Sequence, residues 1–367
     1  MIKKWSKTLT LFLIISLFCY SYSQQDKLDI FGYFQSGAGV FHTFEKTALS
    51  KTYYAGRSTL RFNFSSTDNG FAKFEGSADF SILSGIYTKD YIIQSNFLKI
   101  GEETLLTIDI RKIYLVIKPE IFDLYVGRQL IKFGEGMVFS PLDPFSKIDF
   151  TDVYFTRLGV DCLRVKIPLG EVGYFESTGL PRSEWTNSDC ALRTGFNIFG
   201  WDFSIVGYYR GKYNFASYGF SFKGDIIAGV YGEFVYHFLR EEEMRFWNLM
   251  FGFDYSFLEK FIVRMEYYYN SFDINKCTFV ELVYPFVSKQ YLMAQLIFTP
   301  NLIDTHVFSF IDNLENEALL ILFSYQRNLY QNVNLVFNVR YSKEDLTGLN
   351  VINLNSLYYS IEVNIRY

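Results

Sequence analysis

The C-terminal segment constrains the fold more than any other part of this chain. The last eleven residues read LYYSIEVNIRY, from Leu357 to Tyr367. Apolar or aromatic side chains fill the odd positions, whereas the even positions carry Tyr, Ser, Glu, Asn and Arg. This period of two is typical of a strand with one apolar and one polar face. Most domains end in a frayed polar segment, so this ending predicts a last strand that closes a barrel and turns its apolar face towards lipid.

The N-terminus has the composition of a secretory signal peptide. Three lysines stand within the first seven positions, an apolar run follows over residues 9–18, and the small residues Ser21 and Ser23 come next. The apolar run is too short to span a bilayer as a helix. We therefore predict a cleaved signal peptide over residues 1–23 and a mature chain over residues 24–367.

Charge and cysteine content exclude several classes of function. The formal net charge is −4, and removal of the three signal lysines makes it −7. A mildly acidic chain without a basic block is a poor nucleic-acid binder, so we predict no nucleic-acid partner. Cys162, Cys190 and Cys277 are too scattered for a disulfide framework or a metal site, although a single Cys162–Cys190 bridge stays open. Cys19 follows Phe18, whereas a lipoprotein signal has a small residue before its cysteine, so the sequence disfavours a lipid anchor at Cys19.

Alternation like that of the C-terminus recurs along the mature chain, and helical periodicity is almost absent. After residue 24 no apolar run reaches the roughly 18 residues that a spanning helix needs. The chain nevertheless contains 40 Phe and 29 Tyr with only 7 Pro, a composition that favours strands. Segments 106–117 and 318–327 carry apolar residues on both faces and are harder to assign. The clearest alternation covers segments 54–65, 246–257, 261–270 and 333–341.

The lengths of the connections carry the strongest signal about the architecture. We divide the mature chain into eighteen strands, or sixteen if the mixed segments merge, and every second connection is short. A soluble sandwich has no reason to gather its long loops on one edge, whereas a transmembrane β-barrel has short periplasmic turns and long external loops. The short connections lie near residues 66–70, 118–120, 168–170, 199–200, 224–225, 258–259, 299–302 and 328–330. The others are mostly longer and lie near 42–53, 84–106, 131–159, 179–189, 239–245, 271–289 and 342–355, with short exceptions near 211–215 and 313–316.

The sequence therefore predicts an all-β fold, a closed antiparallel transmembrane β-barrel surrounded by membrane lipid. In hydrocarbon every backbone N–H and C=O group must be paired within the protein, and closure removes the open edges of a sheet. The last strand must then pair with the first, near residues 28–41, and Tyr367 would lie where headgroups meet hydrocarbon. An outward aromatic residue at the terminus also resembles the C-terminal strand signature of Gram-negative outer-membrane proteins. That resemblance implies recognition by the barrel-insertion machinery.

The longest gap between strands, residues 130–159, reads LIKFGEGMVFSPLDPFSKIDFTDVYFTRLG and follows the strand end YVGRQ. Loops of this length are usually functional or disordered, and this one has too many apolar residues for disorder. In its strand pattern, and in FGEG…SPLDPF with the GRQ strand end, the chain resembles the outer-membrane porins, whose third external loop folds into the barrel and narrows the pore. The resemblance implies an inward-folded constriction loop over residues 131–159. The alternative is an external cap packed on its own aromatic residues.

Charged residues give this loop and the neighbouring strands opposite characters. An acidic loop that faces a basic wall would place a transverse electric field across the pore, which orients dipolar solutes and sets ion preference. The alternative is that each arginine pairs with a carboxylate and serves stability alone. Arg111 and Arg128 lie on strands that do not alternate cleanly, so we assign them no face. The candidate constriction residues are Glu135, Asp143, Asp149 and Asp152 on the loop, and Arg57, Arg61, Arg164, Lys166 and Arg193 on the strands.

The sequence offers little for catalysis. Its three histidines, His42, His237 and His306, have no zinc spacing, and no serine lies in a recognisable nucleophile motif. No glycine-rich phosphate loop precedes a helix. We therefore predict no cofactor and no enzymatic activity, although a glycosidase that uses carboxylates alone stays open.

The predicted function is a porin-like channel in the cell outer membrane for passive diffusion of small hydrophilic solutes. Barrels of this strand number leave an aqueous channel, and polar residues on the predicted lumen faces favour water. The alternatives are a substrate-specific channel for an anionic or sugar-like solute, a transporter of hydrophobic substrates, and a non-conducting scaffold in secretion or surface assembly. A homo-oligomer such as a trimer stays open, because nothing in the sequence marks a subunit interface.

Overall fold

The computed structural model describes most of residues 28–367. Within the described part, no helix is long and apolar enough to cross a membrane. The predicted signal peptide, Cys277 and Asp149 lie outside the described residues. The described residues are 28–44, 51–68, 70–87, 97–101, 103–145, 148, 152, 154–240, 243–272, 286, 288–344 and 355–367.

Strands account for 73% of the described residues. Two short 3-10 turns, Trp185–Asn187 and Gly211–Tyr213, lie in connections. The strands are β1 (Leu28–Phe44), β2 (Lys51–Ser66), β3 (Ala72–Gly85), β4 (Phe97–Gly101), β5 (Thr104–Ile117), β6 (Asp123–Gln129), β7 (Val160–Leu169), β8 (Gly173–Leu180), β9 (Asp189–Ile198), β10 (Trp201–Arg210), β11 (Phe215–Asp225), β12 (Gly229–Leu239), β13 (Met244–Phe257), β14 (Phe261–Asn270), β15 (Gln290–Phe298), β16 (Asp304–Asn313), β17 (Leu319–Tyr330), β18 (Val333–Lys343) and β19 (Asn355–Arg366).

The strands form one closed antiparallel sheet. The last strand, β19, pairs with β1 from Tyr33 opposite Arg366 to Phe44 opposite Asn355, so the predicted closure by the C-terminal strand is confirmed. Strand β3 pairs directly with β5, and the short β4 is an addition that pairs with the beginning of β5. The wall of the barrel therefore has eighteen strands, which confirms the higher of the two predicted counts.

A β-bulge in β5 explains why residues 106–117 show no clean alternation. Ala78 of β3 lies opposite Ile110, and the preceding Ser77 lies opposite Lys112, so Arg111 is the extra residue. An extra residue shifts side-chain alternation by one position. Odd positions of β5 therefore face the lumen before the bulge, and even positions face it afterwards. The sequence pattern contains both phases, which a search for a single period of two cannot separate.

The short connections are tight turns that lie together at one rim of the barrel. Phe199 and Gly200, between β9 and β10, have positive φ angles of 53° and 81°. Leu258 and Glu259, between β13 and β14, have φ angles of 53° and 55°. Two successive positive φ angles characterise the primed turns, whose twist matches that of the flanking strands. The predicted alternation of short turns with mostly longer loops is confirmed, except that the connection near residues 239–245, predicted to be long, has only four residues between the end of β12 and the start of β13.

The outer face of the wall is apolar and exposed, whereas many side chains on the lumen face are buried. On β13, Leu249 and Phe251 point outwards and are 39% and 47% exposed, whereas Met250 between them points inwards and is fully buried. The same alternation holds in segments 54–65, 261–270 and 333–341. The faces predicted for these strands are therefore confirmed.

Aromatic rings border this apolar belt at both ends. Trp247 stacks on Tyr269 near the rim with the long loops, with ring centroids 5.0 Å apart. Near the short turns, Phe261 stacks on both Phe257 and Phe298, at 4.7 and 4.5 Å. Trp247 and Phe257 lie on one strand, and at about 3.3 Å per residue and a tilt near 40° their separation gives a belt about 25 Å tall. That height matches the apolar band of outer-membrane barrels.

The two cysteines within the described residues are free thiols. Cys162 is buried and faces the lumen, whereas Cys190 is exposed and faces outwards. Because they lie on opposite faces of the wall, the bridge that the sequence left open is absent.

Candidate functional site

The connection between β6 and β7, residues 130–159, lies against the lumen side of the wall. We call it the β6–β7 loop. Its apolar side chains belong to two buried clusters that also contain residues of the wall. Phe133 and Leu142 pack with Val235 in the first cluster, and Phe139 packs with Met250 in the second. Apolar side chains on lumen-facing positions are thus covered by the loop rather than by water.

This packing also explains why residues 318–327, the second segment that was hard to assign from the sequence, carry apolar residues on both faces. Leu320 and Leu322 on β17 face inwards and are buried in the second cluster. Their neighbours Ile321 and Phe323 face outwards. Both faces of β17 are apolar here, because one contacts the loop and the other belongs to the outer belt.

Beside the loop, the lumen contains a polar cavity of about 360 Å³. Strands β1, β2, β5, β17, β18 and β19 form its wall, and Asp152, Tyr154 and Thr156 border it from the loop. Positive charge predominates along the lining. The charged residues of the lining are Arg57, Arg61, Arg111, Arg340 and Arg366, with the carboxylates Asp152 and Glu362.

Two of these arginines are held by a carboxylate behind them. Arg61 donates two hydrogen bonds, from Nε and Nη2, to the carboxylate of Asp79 on β3. Arg111 Nη1 lies 3.7 Å from the same carboxylate. Asp79 is buried and does not line the cavity itself, so it holds both guanidinium groups from behind the lining and offsets part of their charge.

Three further arginines form no ion pair with the described residues. Arg57 donates from Nε to Thr59 Oγ1 at 3.1 Å. The guanidinium of Arg340 lies over the ring of Tyr358, 5.5 Å from its centroid. Arg366 borders the same cavity. Because arginine stays protonated at any physiological pH, these side chains give the cavity a lasting positive charge.

Three of the predicted constriction residues meet at the cavity: Arg57, Arg61 and Asp152. A second contact between loop and wall joins Glu135 to Arg193, whose Nη2 lies 3.8 Å from Glu135 Oε1. Arg193 Nη1 also donates to the backbone oxygen of Lys132 at 3.3 Å. Acidic loop residues and basic wall residues therefore face each other at two places.

The other predicted residues occupy different surroundings. Arg164 and Lys166 face the lumen on β7 but lie over the rings of Tyr125 and Tyr174, at 4.1 and 4.6 Å, and do not line the cavity. Asp149 falls outside the described residues.

Asp143 is buried within the β6–β7 loop. Its carboxylate pairs with Arg157 at 3.0 Å and accepts hydrogen bonds from the backbone N–H groups of Phe133 and Gly134. The geometry of Asp143 is that of a group that organises the loop, because it does not border the cavity.

Tyr154 is the phenol that the loop presents to the cavity. Burial raises the pKa of this phenol, and the neighbouring Asp152 carboxylate adds to the shift. Tyr154 is therefore a neutral hydrogen-bonding group at physiological pH, able both to donate and to accept.

Sequence reasoning missed Arg340, Arg366 and Glu362 as members of the cavity. All three fall on the polar face of clearly alternating segments, so alternation assigns them to the lumen but cannot say what they oppose. It also missed Glu233 and Glu266, two buried carboxylates on β12 and β14 that contact the loop. Glu266 stands on the polar face of segment 261–270, whereas Glu233 has no comparable signal.

The closed eighteen-strand antiparallel barrel matches porin structures in its fold. Among solved structures, the chain is similar to OccK9 (OpdG) of Pseudomonas aeruginosa, with a TM-score of 0.62 and 7% identity over 93% of this chain and 99% of the other. It is also similar to OccK7 (OpdD) of the same species, with a TM-score of 0.59 and 8% identity over 94% and 99%. OccAB4 of Acinetobacter baumannii gives a TM-score of 0.58 and 7% identity over 94% and 99%.

Sequence comparison adds nothing to this likeness. No protein-family model matches the chain, and no curated protein matches it. The structural similarity shows a shared fold, but at these sequence identities it shows the fold alone, so the function has to be argued from the cavity.

Proposed function

We propose that this protein is an outer-membrane channel through which small hydrophilic solutes diffuse passively. The observation that carries the proposal is the polar, arginine-lined cavity inside a closed barrel. Barrels of this size hold an aqueous lumen, and charged groups along such a lumen set which solutes enter. The proposal assigns no chemical reaction to the chain.

In this proposal the β6–β7 loop is the constriction of the channel, and residues 24–367 form the membrane domain. The loop covers the apolar part of the lumen and leaves the polar part beside β17–β19, β1, β2 and β5. The signal peptide over residues 1–23 would direct export, and barrel-insertion machinery would place the chain in the outer membrane. Subunit number is a separate question, for which native mass spectrometry distinguishes a monomer from a trimer.

The charge of the cavity favours anionic solutes, so a substrate-specific channel for an anion is the second candidate. Five arginines and two carboxylates line the cavity. An excess of fixed positive charge raises the local concentration of anions and repels cations. This places the anionic member of the predicted alternatives ahead of a hydrophobic-substrate transporter, which needs an apolar path.

Planar-bilayer recording tests the proposal directly. Purified protein is expected to give discrete open-channel steps, and a gradient of KCl is expected to give a reversal potential displaced towards that of chloride. Liposome swelling with sugars of graded size then bounds the width of the pore. If folded protein inserts without any conductance steps, the channel function is refuted and the non-conducting scaffold remains as the alternative.

A further inference from the structure

Seven consecutive backbone N–H groups of the β6–β7 loop, from Phe133 to Phe139, all donate to carboxylates. The first two reach Asp143, which belongs to the loop itself. The next five reach Glu233 and Glu266, which belong to the wall. A run of N–H groups that converge on carboxylates makes an anion-binding concavity in the backbone. Here the anions are side chains of the barrel.

Glu233 on β12 accepts two of these five N–H groups and also contacts Ser140 and Leu142 of the loop. Its Oε1 accepts the backbone N–H groups of Glu135 and Gly136 at 2.6 and 2.8 Å. Its Oε2 accepts the backbone N–H of Leu142 at 3.1 Å, and Ser140 Oγ lies 3.2 and 3.1 Å from the two oxygens. One carboxylate therefore joins both ends of the turn made by residues 135–142.

Glu266 on β14 holds the middle of the same turn. Its Oε1 accepts the backbone N–H of Met137, and its Oε2 accepts those of Val138 and Phe139 at 3.0 and 2.9 Å. Tyr231 Oη also donates to Oε1 at 3.0 Å. Neither Glu266 nor Glu233 forms an ion pair with the described residues, so the backbone of the loop supplies most of the hydrogen bonds that these buried carboxylates require.

The glycines of the sequence GEG allow the approach. A Cβ atom at Gly134 would lie 2.4 Å from Glu233 Oε1 and 2.2 Å from Ser140 Oγ. A Cβ at Gly136 would lie 1.9 Å from the backbone oxygen of Phe139. Larger residues at these two positions would displace the carboxylate or the turn.

We propose that Glu233 and Glu266 are positioning residues that hold the β6–β7 loop in the lumen and thereby set the width of the pore. This rests on the proposed function, since the width matters only in a conducting channel. The apolar clusters cover surface, but apolar contacts are not directional. Hydrogen bonds from consecutive N–H groups to fixed oxygens determine where along the wall the turn is placed.

Isosteric substitution tests the proposal. In E233Q and E266Q one acceptor oxygen becomes an NH₂ donor that faces other donors, while the volume of the side chain is unchanged. Loss of charge-assisted hydrogen bonds of this kind at either site should lower the ratio of molecules with the loop held against the wall to molecules with the loop released by about tenfold or more. The double variant is expected to show a higher single-channel conductance than the original protein.

Trypsin gives a second readout that does not depend on conductance. Inside the lumen, the loop residues Lys132 and Arg157 are out of reach of a protease. In the folded double variant, a released loop is expected to be cut at these residues while the barrel remains intact. Glu75→Gln is the matched control, because Glu75 pairs with Lys73 and Lys112 on the wall and does not touch the loop.

The outcomes separate the two proposals. A folded double variant with unchanged conductance and no trypsin cut would overturn the role of the two glutamates. An original protein that does not conduct would overturn the channel, while trypsin sensitivity in the variant would still support the role in holding the loop.

If the double variant does not fold, Gly134→Ala tests the contact between the loop and Glu233 by a change in the loop. The added methyl group pushes against Glu233 and Ser140, so increased cutting by trypsin is expected, and a loop that stays protected would count against the proposal. Gly179→Ala is the control, because a Cβ atom there meets nothing within 4 Å.

Discussion

At the scale of single residues, only some of the arginines that line the cavity are paired with a carboxylate. Asp79 neutralises part of the charge of Arg61 and Arg111, whereas Arg57 and Arg340 have no carboxylate partner among the described residues. The acidic residues of the loop also divide into two kinds. Asp152 borders the cavity, whereas Asp143 is buried in the loop and pairs with Arg157.

Arg340→Gln is expected to reduce the preference of the channel for anions. The substitution removes a positive charge from the cavity lining and leaves the backbone pairing of β18 unchanged. The reversal potential in a KCl gradient should therefore move towards that of potassium. Arg245→Gln is the control, because Arg245 faces outwards beside Phe238. An equal change in both variants would argue against a local effect of the lining.

Asp152→Asn and Asp143→Asn are expected to have different consequences. Asp152→Asn should shift the reversal potential towards that of chloride without altering stability, because the residue borders the cavity. Asp143→Asn leaves Arg157 without its buried partner, which costs about 3–5 kcal/mol of local stability and should make the loop sensitive to trypsin. Reversal potentials and proteolysis of both variants measure the difference. Indistinguishable variants would show that Asp143 also belongs to the passage.

At the scale of elements, the register of β19 against β1 places the aromatic Tyr367 beside the first strand. Tyr367 exchanges backbone hydrogen bonds with Gly32 at 3.1 Å, and its hydroxyl donates to the backbone oxygen of Arg61 at 2.9 Å. Its ring meets that of Phe62 on the outer face at 6.1 Å. The terminal residue therefore belongs to the seam that closes the barrel.

Ile361→Lys is expected to destabilise the barrel by about 2–4 kcal/mol, because it places a charge near the middle of the lipid-facing belt. Ile361 is exposed on the outer face of β19, six residues before the terminus. Gln326→Lys is the control, since Gln326 lines the wet cavity. Unfolding by urea in lipid vesicles measures both variants. A comparable loss in the control would mean that the outer and inner faces are solvated alike.

At the scale of the whole molecule, the β6–β7 loop divides the lumen into two unlike halves. Against β7–β17 it packs into two dry clusters, and beside β17–β19, β1, β2 and β5 it leaves the polar cavity. The cavity therefore lies on one side of the lumen, where arginines predominate among its charged lining residues.

The preference for anions is expected to fall as the salt concentration rises. The Debye length decreases from about 10 Å at 0.1 M to about 3 Å at 1 M, so at high salt the arginines influence only the ions that touch them. The permeability ratio of chloride to potassium, measured at equal gradients around these two concentrations, should decrease towards one. A ratio that does not depend on salt would indicate a binding site rather than a field.

Local patterns in the sequence determined the fold class, the strand faces and the closing strand. Alternation and turn length are properties of neighbouring residues, and the chemistry of a bilayer leaves few architectures for a chain with both. The bulge at Arg111 and the apolar lumen face of β17 escaped prediction, because the first changes the phase of the pattern and the second depends on a partner distant in sequence.

Only the tertiary structure decided which lumen residues share a cavity. Arg340 and Arg366 meet Arg57 because β18 and β19 lie beside β1 and β2 once the sheet closes. Glu233 and Glu266 contact residues about 100 positions or more away in the chain. Alternation determines whether a side chain faces the lumen or the outside. The closure of the sheet determines where around the barrel that side chain lies and which residues face it across the lumen, and no local pattern encodes closure.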